Sequence, residues 1–166
     1  MKSLKHLFLL VCFTIFSCGP YSFTGVQNID ADTFQVNYFQ NTANLIEPGF
    51  DRDFTIALQE LIQNQTSLSL TNTNGDLVYE GEIIEYRISP QTAQANSRAA
   101  QNRLTVAVNV RFYDKNEPDE EFEQRFSFFY DYAGSELLTG AQKETAHEEI
   151  FERLTQDIFN ATLAKW

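Results

Sequence analysis

Alternating apolar and polar positions mark most of this chain as sheet. Thr33–Phe39 (TFQVNYF) places Phe34, Val36 and Tyr38 on one face and Thr33, Gln35 and Asn37 on the other, the pattern of a half-buried strand. The period then lengthens: Phe54, Ala57, Leu58, Leu61 and Ile62 recur at helical spacing after Pro48-Gly49. This predicts an amphipathic helix over 51–64, with Asp51 or Asp53 as its cap. Thr66–Thr71 reads as a short strand, and Asn74-Gly75 signals a hairpin into a strand at Leu77–Ile88. In that strand Leu77 and Tyr79 are odd, whereas Ile84, Tyr86 and Ile88 are even, so a bulge at Gly81 is expected to re-register the faces.

The polar stretch 89–102 reads as a loop. Leu104, Val106, Val108, Val110 and Phe112 then alternate cleanly, and after DKNEPDE the run Phe122–Tyr132 sets Phe122, Phe126, Phe128, Tyr130 and Tyr132 on one face. Phe129 points the other way, between Ser127 and Asp131, where another protein can reach it. Ile150, Phe151, Leu154, Ile158 and Ala161 mark a last helix from roughly 143 to 164. Strand, helix, four strands and helix predict an α+β, two-layer sandwich: two helices on one face of a four- to five-stranded, mostly antiparallel sheet. The first strand can join its neighbour in parallel through the first helix.

The N-terminus follows a different pattern. Residues 1–6 carry Lys2 and Lys5, and residues 7–17 (LFLLVCFTIFS) are apolar, which is the layout of a signal peptide and too short to span a bilayer as a helix. Ile15-Phe16-Ser17-Cys18 resembles a bacterial lipoprotein box, with the bulky Phe16 where that motif usually has a small residue. The resemblance implies diacylglycerol on the Cys18 sulfur, cleavage before Cys18 and acylation of the freed amine, with two or more chains giving stable anchoring. The expected organisation is a signal peptide over 1–17, a lipidated tether over 18–32 and one domain over 33–166. No acidic run follows Cys18, which favours a domain facing the periplasm.

Charge and composition narrow the function. The 166-residue chain has a net charge of −11. Lys2 and Lys5 are the only charged residues before Cys18, so from Cys18 onward ten basic side chains oppose 23 acidic ones, giving −13. That is a poor footprint for nucleic acid. With only Cys12 and Cys18, neither a disulfide framework nor a cysteine zinc site is available. The one histidine beyond residue 6 is His147, with Glu144 three residues before it and Glu148 beside it, and it reads as solvated rather than catalytic or metal-binding. Asp119, Glu120, Glu121 and Glu123 read as a solvated rim rather than an acid/base pair. No phosphate-cradling glycine motif or nucleophile elbow occurs, so no enzyme activity, cofactor or metal is expected.

One regional feature stands out. Tyr86–Tyr113 holds no acid, while Arg87, Arg98, Arg103 and Arg111 contribute +4. Either these arginines balance acidic surfaces elsewhere, or they form an anion-facing tip, since guanidinium suits bidentate contact with phosphate or carboxylate.

The segments CGPYSFTG at 18–25, TFQVNYFQNTANLIEPGFDRDFTIAL at 33–58 and GDLVYEGEIIEY at 75–86 resemble the LptE family in its Bacteroidota form. NRLTVAVNVRF at 102–112, FSFFYDY at 126–132 and the closing DIFN…W extend the resemblance over nearly the whole chain after Cys18. It implies a non-enzymatic lipoprotein anchored in the outer membrane, facing the periplasm or the inside of its partner. Such a protein plugs and helps assemble an LptD-type β-barrel and binds lipopolysaccharide. On that reading Arg98, Arg103, Arg87 and Arg111 are candidate lipopolysaccharide contacts and Cys18 is the lipidation site. The competing classes are a lipoprotein scaffold of another outer-membrane assembly machine and a small periplasmic hydrolase, for which no catalytic cluster is found.

Overall fold

The computed structural model describes residues 29–91, 101–134 and 138–164. Cys18, the signal peptide, most of the tether and Arg98 lie outside the described residues. The elements are β1 (Thr33–Val36), β2 (Gln40–Asn41), α1 (Phe50–Gln65), β3 (Ser69–Leu70), β4 (Leu77–Gln91), β5 (Gln101–Asp114), β6 (Phe122–Ala133) and α2 (Gly140–Thr162). A 3-10 turn at Pro118–Glu120 precedes β6.

Long strands β4, β5 and β6 form an antiparallel meander. The short ones add in parallel, β1 beside β4, β3 beside β1, and β2 beside β4 further along. The sheet order is β3-β1-β4-β5-β6 with β2 off that path. Both helices pack on one face, enclosing a single core in which Phe34, Phe39, Phe54, Leu58, Tyr79, Ile83, Val106, Ile150 and Ile158 are all fully buried. The α+β sandwich read from the periodicity is the observed architecture.

The local departures have physical causes. Of the strand expected over Thr33–Phe39 only Thr33–Val36 forms; the chain bends away over 37–39, and β2 follows at Gln40–Asn41. Asn37 N–H donates to the Tyr79 carbonyl, and Phe39 N–H donates to the buried Thr55 hydroxyl on α1. The bend reverses the expected faces: Tyr38 is 55% exposed and Phe39 is fully buried. Phe39 lies on Gly81, where an added Cβ would sit 2.5 Å from Phe39 Cε1 and 2.2 Å from the Asn109 carbonyl oxygen. Gly81 therefore serves close approach, and the register shift falls instead between Ile83 and Glu85, leaving Ile84 exposed.

No antiparallel hairpin forms at Asn74-Gly75. β3 pairs in parallel with β1, and the chain crosses the polar side of β1 before entering β4. A Cβ on Gly75 would meet Gln35 at 2.8 Å, and Asn74 takes φ 56°. The Asp76 carboxylate fastens the crossing by accepting from Thr33 Oγ at 2.6 Å and Thr33 N–H at 3.0 Å. The Thr33 hydroxyl holds the Asp76 carboxyl below its ordinary pKa. In α1, Gly49 (φ 83°) takes the N-cap position, so Asp51 and Asp53 sit inside the first turn, where the helix dipole favours them. α2 starts at Gly140, and its buried stripe runs through Thr155, Phe159 and Thr162 rather than Ala161.

Candidate functional site

The helix-free face of the sheet carries the charged residues, because the pleat that sends Leu104, Val106 and Val108 inward sends Arg103, Thr105 and Asn109 outward. Three of the four predicted arginines lie on this face. Arg103 forms a bidentate pair with Asp131 on β6, Nε and Nη2 each 2.7 Å from a carboxylate oxygen. Its guanidinium carbon stands 3.6 Å from the centre of the Phe129 ring. The pair raises the Arg103 pKa and lowers that of Asp131. Arg103 thus covers one face of the Phe129 ring, which stays 44% exposed. Arg111 stands 3.9 Å from Glu80. Eight residues of strand put it about 27 Å from Arg103, so the predicted arginines do not gather at one point.

A tighter cluster forms around Glu85. Its Oε1 accepts from Arg87 Nε at 2.9 Å, and its Oε2 accepts from Arg125 Nη2 at 2.6 Å. Arg125 reaches diagonally across β5, over the buried Ala107, so one carboxylate serves two guanidiniums. Beside them the edge of β4 beyond β2 opens into a cleft of about 670 Å³, lined by Asn44, Leu45, Ile84, Tyr86 and Ile88 along with the three charged residues. Leu45 and its neighbour Ile46 are 49% and 65% exposed. Apolar walls with a net charge of +1 suit an amphiphilic anion. Arg125 fell outside the acid-free window; its phase in FEQRFSFFYDY, the same as that of Phe129, is the signal that places it on this face.

His147 is half-buried rather than fully solvated. Its Nε2 and the Tyr86 hydroxyl share a hydrogen bond at 2.9 Å, and its ring packs edge-on against Phe50 with centroids 4.8 Å apart. Burial pushes its pKa below 6.5, partly offset by Glu47. The groove between α1 and α2 above it, about 490 Å³, is rimmed by Asp53, Glu60, Glu144, Glu148 and Glu152. Among the described residues no group of three His, Cys, Asp or Glu side chains is placed to hold a metal. Asp119, Glu120, Glu121 and Glu123 are exposed along the 3-10 turn and the start of β6, and Glu123 accepts from Asn109. No helix among the described residues is long and apolar enough to cross a membrane.

Residues 31–162 match the family described as LptE, lipopolysaccharide-assembly. The chain belongs to the LptE family. No curated protein matches it. Among solved structures, XCC0632 from Xanthomonas campestris is 10% identical over 83% of this chain and 89% of that one, with a TM-score of 0.52, a likeness of fold. The rare lipoprotein B of Shewanella oneidensis aligns at 12% identity over 76% of this chain and 89% of its own, with a TM-score of 0.42. A minor lipoprotein of Acinetobacter baumannii aligns at 14% identity over 80% and 90%, with a TM-score of 0.45. LptE proteins are non-enzymatic, membrane-associated lipoproteins of lipopolysaccharide assembly, and this chain is one of them by family.

Proposed function

We propose that this chain is held at the outer membrane through a lipidated Cys18, seats in and helps assemble an LptD-type β-barrel, and hands lipopolysaccharide to it. The family match over residues 31–162 carries the reading. The cleft at Glu85 supports the reading, since Arg87 and Arg125 beside Leu45, Ile84 and Ile88 offer the pairing of guanidinium and apolar wall that a lipid A phosphate and its first acyl carbons need. Arg103 lies diagonally across the β4–β5 pair from Arg87, with its charge matched by Asp131, and Arg98 lies outside the described residues. Arg111 stands apart, beside Glu80.

Native purification from detergent-solubilised outer membranes tests the partner. A stoichiometric LptD-like barrel is expected, and recovery with a different assembly machine would overturn the reading. Cys18→Ala is expected to leave a soluble or unprocessed protein; normal yield in the outer membrane would sink the anchor.

A further inference from the structure

The sheet leaves main chain open at several places, and all but one are closed to a further strand. β2 and β3 are two residues long and offer little to a neighbour. The end of β4 beyond β2 follows the register shift between Ile83 and Glu85 and carries Pro90, and a bulge and a proline are usual means of blunting an edge. β6 has neither. It runs for 12 residues in unbroken register with β5, from Phe122 opposite Phe112 to Ala133 opposite Gln101. No strand lies beyond it among the described residues.

Alternation along the ladder fixes which groups of β6 are open. The carbonyls of Tyr79 and Ile83 turn toward the side of β1 and β2, where Asn37 and Thr42 N–H groups bond them. Phe112 and Val108 lie opposite those two residues, so the even residues of β5 turn their main-chain groups to β6. The Val106 carbonyl agrees, accepting from the Ser127 hydroxyl at 3.2 Å. Even residues of β6 are therefore engaged with β5. Glu123, Arg125, Ser127, Phe129 and Asp131 turn their N–H and C=O groups to the open edge, where no main-chain partner stands among the described residues.

The side chains along this edge leave the main chain as the point of contact. On the helix-free face Arg125 stays with Glu85 and Asp131 with Arg103, so their charges are matched inside the chain. Toward the helices stand Phe126, Phe128 and Tyr130, of which Phe128 and Tyr130 are only half-buried. Strand addition suits such an edge, since main-chain bonds supply affinity and alternate side chains supply specificity. We propose that β6 takes an added strand from the barrel subunit: an extended segment with apolar residues at alternate positions, laid against Phe126, Phe128 and Tyr130. Strands within a closed barrel wall have both edges paired, so the segment comes from a part of that subunit outside the wall. The inference rests on the barrel reading above and uses one copy of this chain.

Residue-resolved hydrogen exchange of the barrel complex and of this protein alone, in the same detergent, tests it. Alone, the even amides of β6 exchange slowly and the odd ones rapidly. In the complex at least three successive odd amides between Glu123 and Asp131 are expected to slow by about tenfold or more. Slowing at a single position, or at none, would overturn the proposal. Ser127→Pro removes an N–H from the open edge without touching a β5–β6 main-chain bond. It is expected to lower barrel recovery several-fold with circular dichroism preserved, whereas Ser127→Ala, which loses the same hydroxyl but keeps the N–H, recovers the barrel normally. Equal recovery by the two variants would also overturn it. The exchange comparison needs no variant and decides the matter if the proline variant fails to fold. Failure of the native protein to recover a barrel would sink the function proposed above and this inference with it, whereas a recovered barrel with fast odd amides would sink the inference alone.

Discussion

Glu85→Gln is the substitution that best separates a binding role from charge balance in the cleft. Its carboxylate holds two guanidiniums, at 2.9 Å and 2.6 Å, and glutamine keeps its outline while removing its charge. The cluster thereby rises from +1 to +2. A phosphate seated about 6 Å from the carboxylate is repelled by about 0.7 kcal/mol at the dielectric of water and about four times that at an effective dielectric of 20. Arg87 and Arg125 side chains are 58% and 55% exposed, so the aqueous end of that range governs. Freeing both guanidiniums from competition acts in the same direction, and a gain of about 1 kcal/mol, roughly fivefold in affinity, follows. Stability should change little, because each exposed ion pair contributes about 0–1 kcal/mol. Titration of phosphorylated lipid A into the detergent-solubilised protein at low and high ionic strength measures both the gain and its salt dependence. Arg125→Gln is expected to move affinity the opposite way. If both variants bind like the native protein, the cleft does not hold the phosphate.

Three further outcomes follow from the core. Tyr79 donates to the Thr162 hydroxyl at 2.9 Å across the interior, and Thr162 still donates to the Ile158 carbonyl when Tyr79 is gone. Tyr79→Phe should therefore cost about 1 kcal/mol and Thr162→Val, which strands a buried hydroxyl, about 1–3 kcal/mol; urea melts giving the reverse order would refute the assignment. Gly81→Ala should destabilise at or beyond the upper end of the about 1–3 kcal/mol seen for overpacking, since its Cβ would meet a backbone oxygen as well as a ring; an unchanged melting temperature would mean that Phe39 does not lie there. Burial depresses the His147 pKa below 6.5, opposed by Glu47 and Asp53 and aided by Lys143, so the fold favours the neutral ring. That contribution is complete above pH 6.5 and is lost as pH falls through the depressed value; His147→Gln should lose less stability than the native chain between neutral pH and pH 5, and equal losses would count against it.

How much was legible in the sequence depended on the range of the interaction. Leu104–Phe112 alternates because both neighbours are long strands and one face is covered by helices, so local pattern and tertiary environment agree. Around Phe39 they part. TFQVNYF reads as one strand, but what sets Phe39 inward is the absent Cβ of Gly81, a residue 42 positions away, together with Thr55 on α1. Asn74-Gly75 shows the same limit: it marks a sharp turn, and turn chemistry alone does not say whether the next strand returns beside the last or beyond a third. His147 looked solvated because its own helix neighbours are acidic, whereas its partners, Tyr86 and Phe50, come from β4 and α1.

The arginines show why a window of sequence finds charge more readily than a site. Counting acids and bases between Tyr86 and Tyr113 gives +4, yet on the sheet face Arg103 and Arg111 each stand against a carboxylate of their own, Asp131 and Glu80, drawn from strands outside or at the margin of that window. Those pairs leave little net field. At Glu85 the sum differs, because Arg125 enters from β6, beyond the window, and the carboxylate is outnumbered. What singles out a place for an anion is thus local imbalance on the folded surface, coupled here to an open apolar wall at Leu45 and Ile84. The residue that creates the imbalance is the one the charge count passed over, and the phase of its strand is what brings it there.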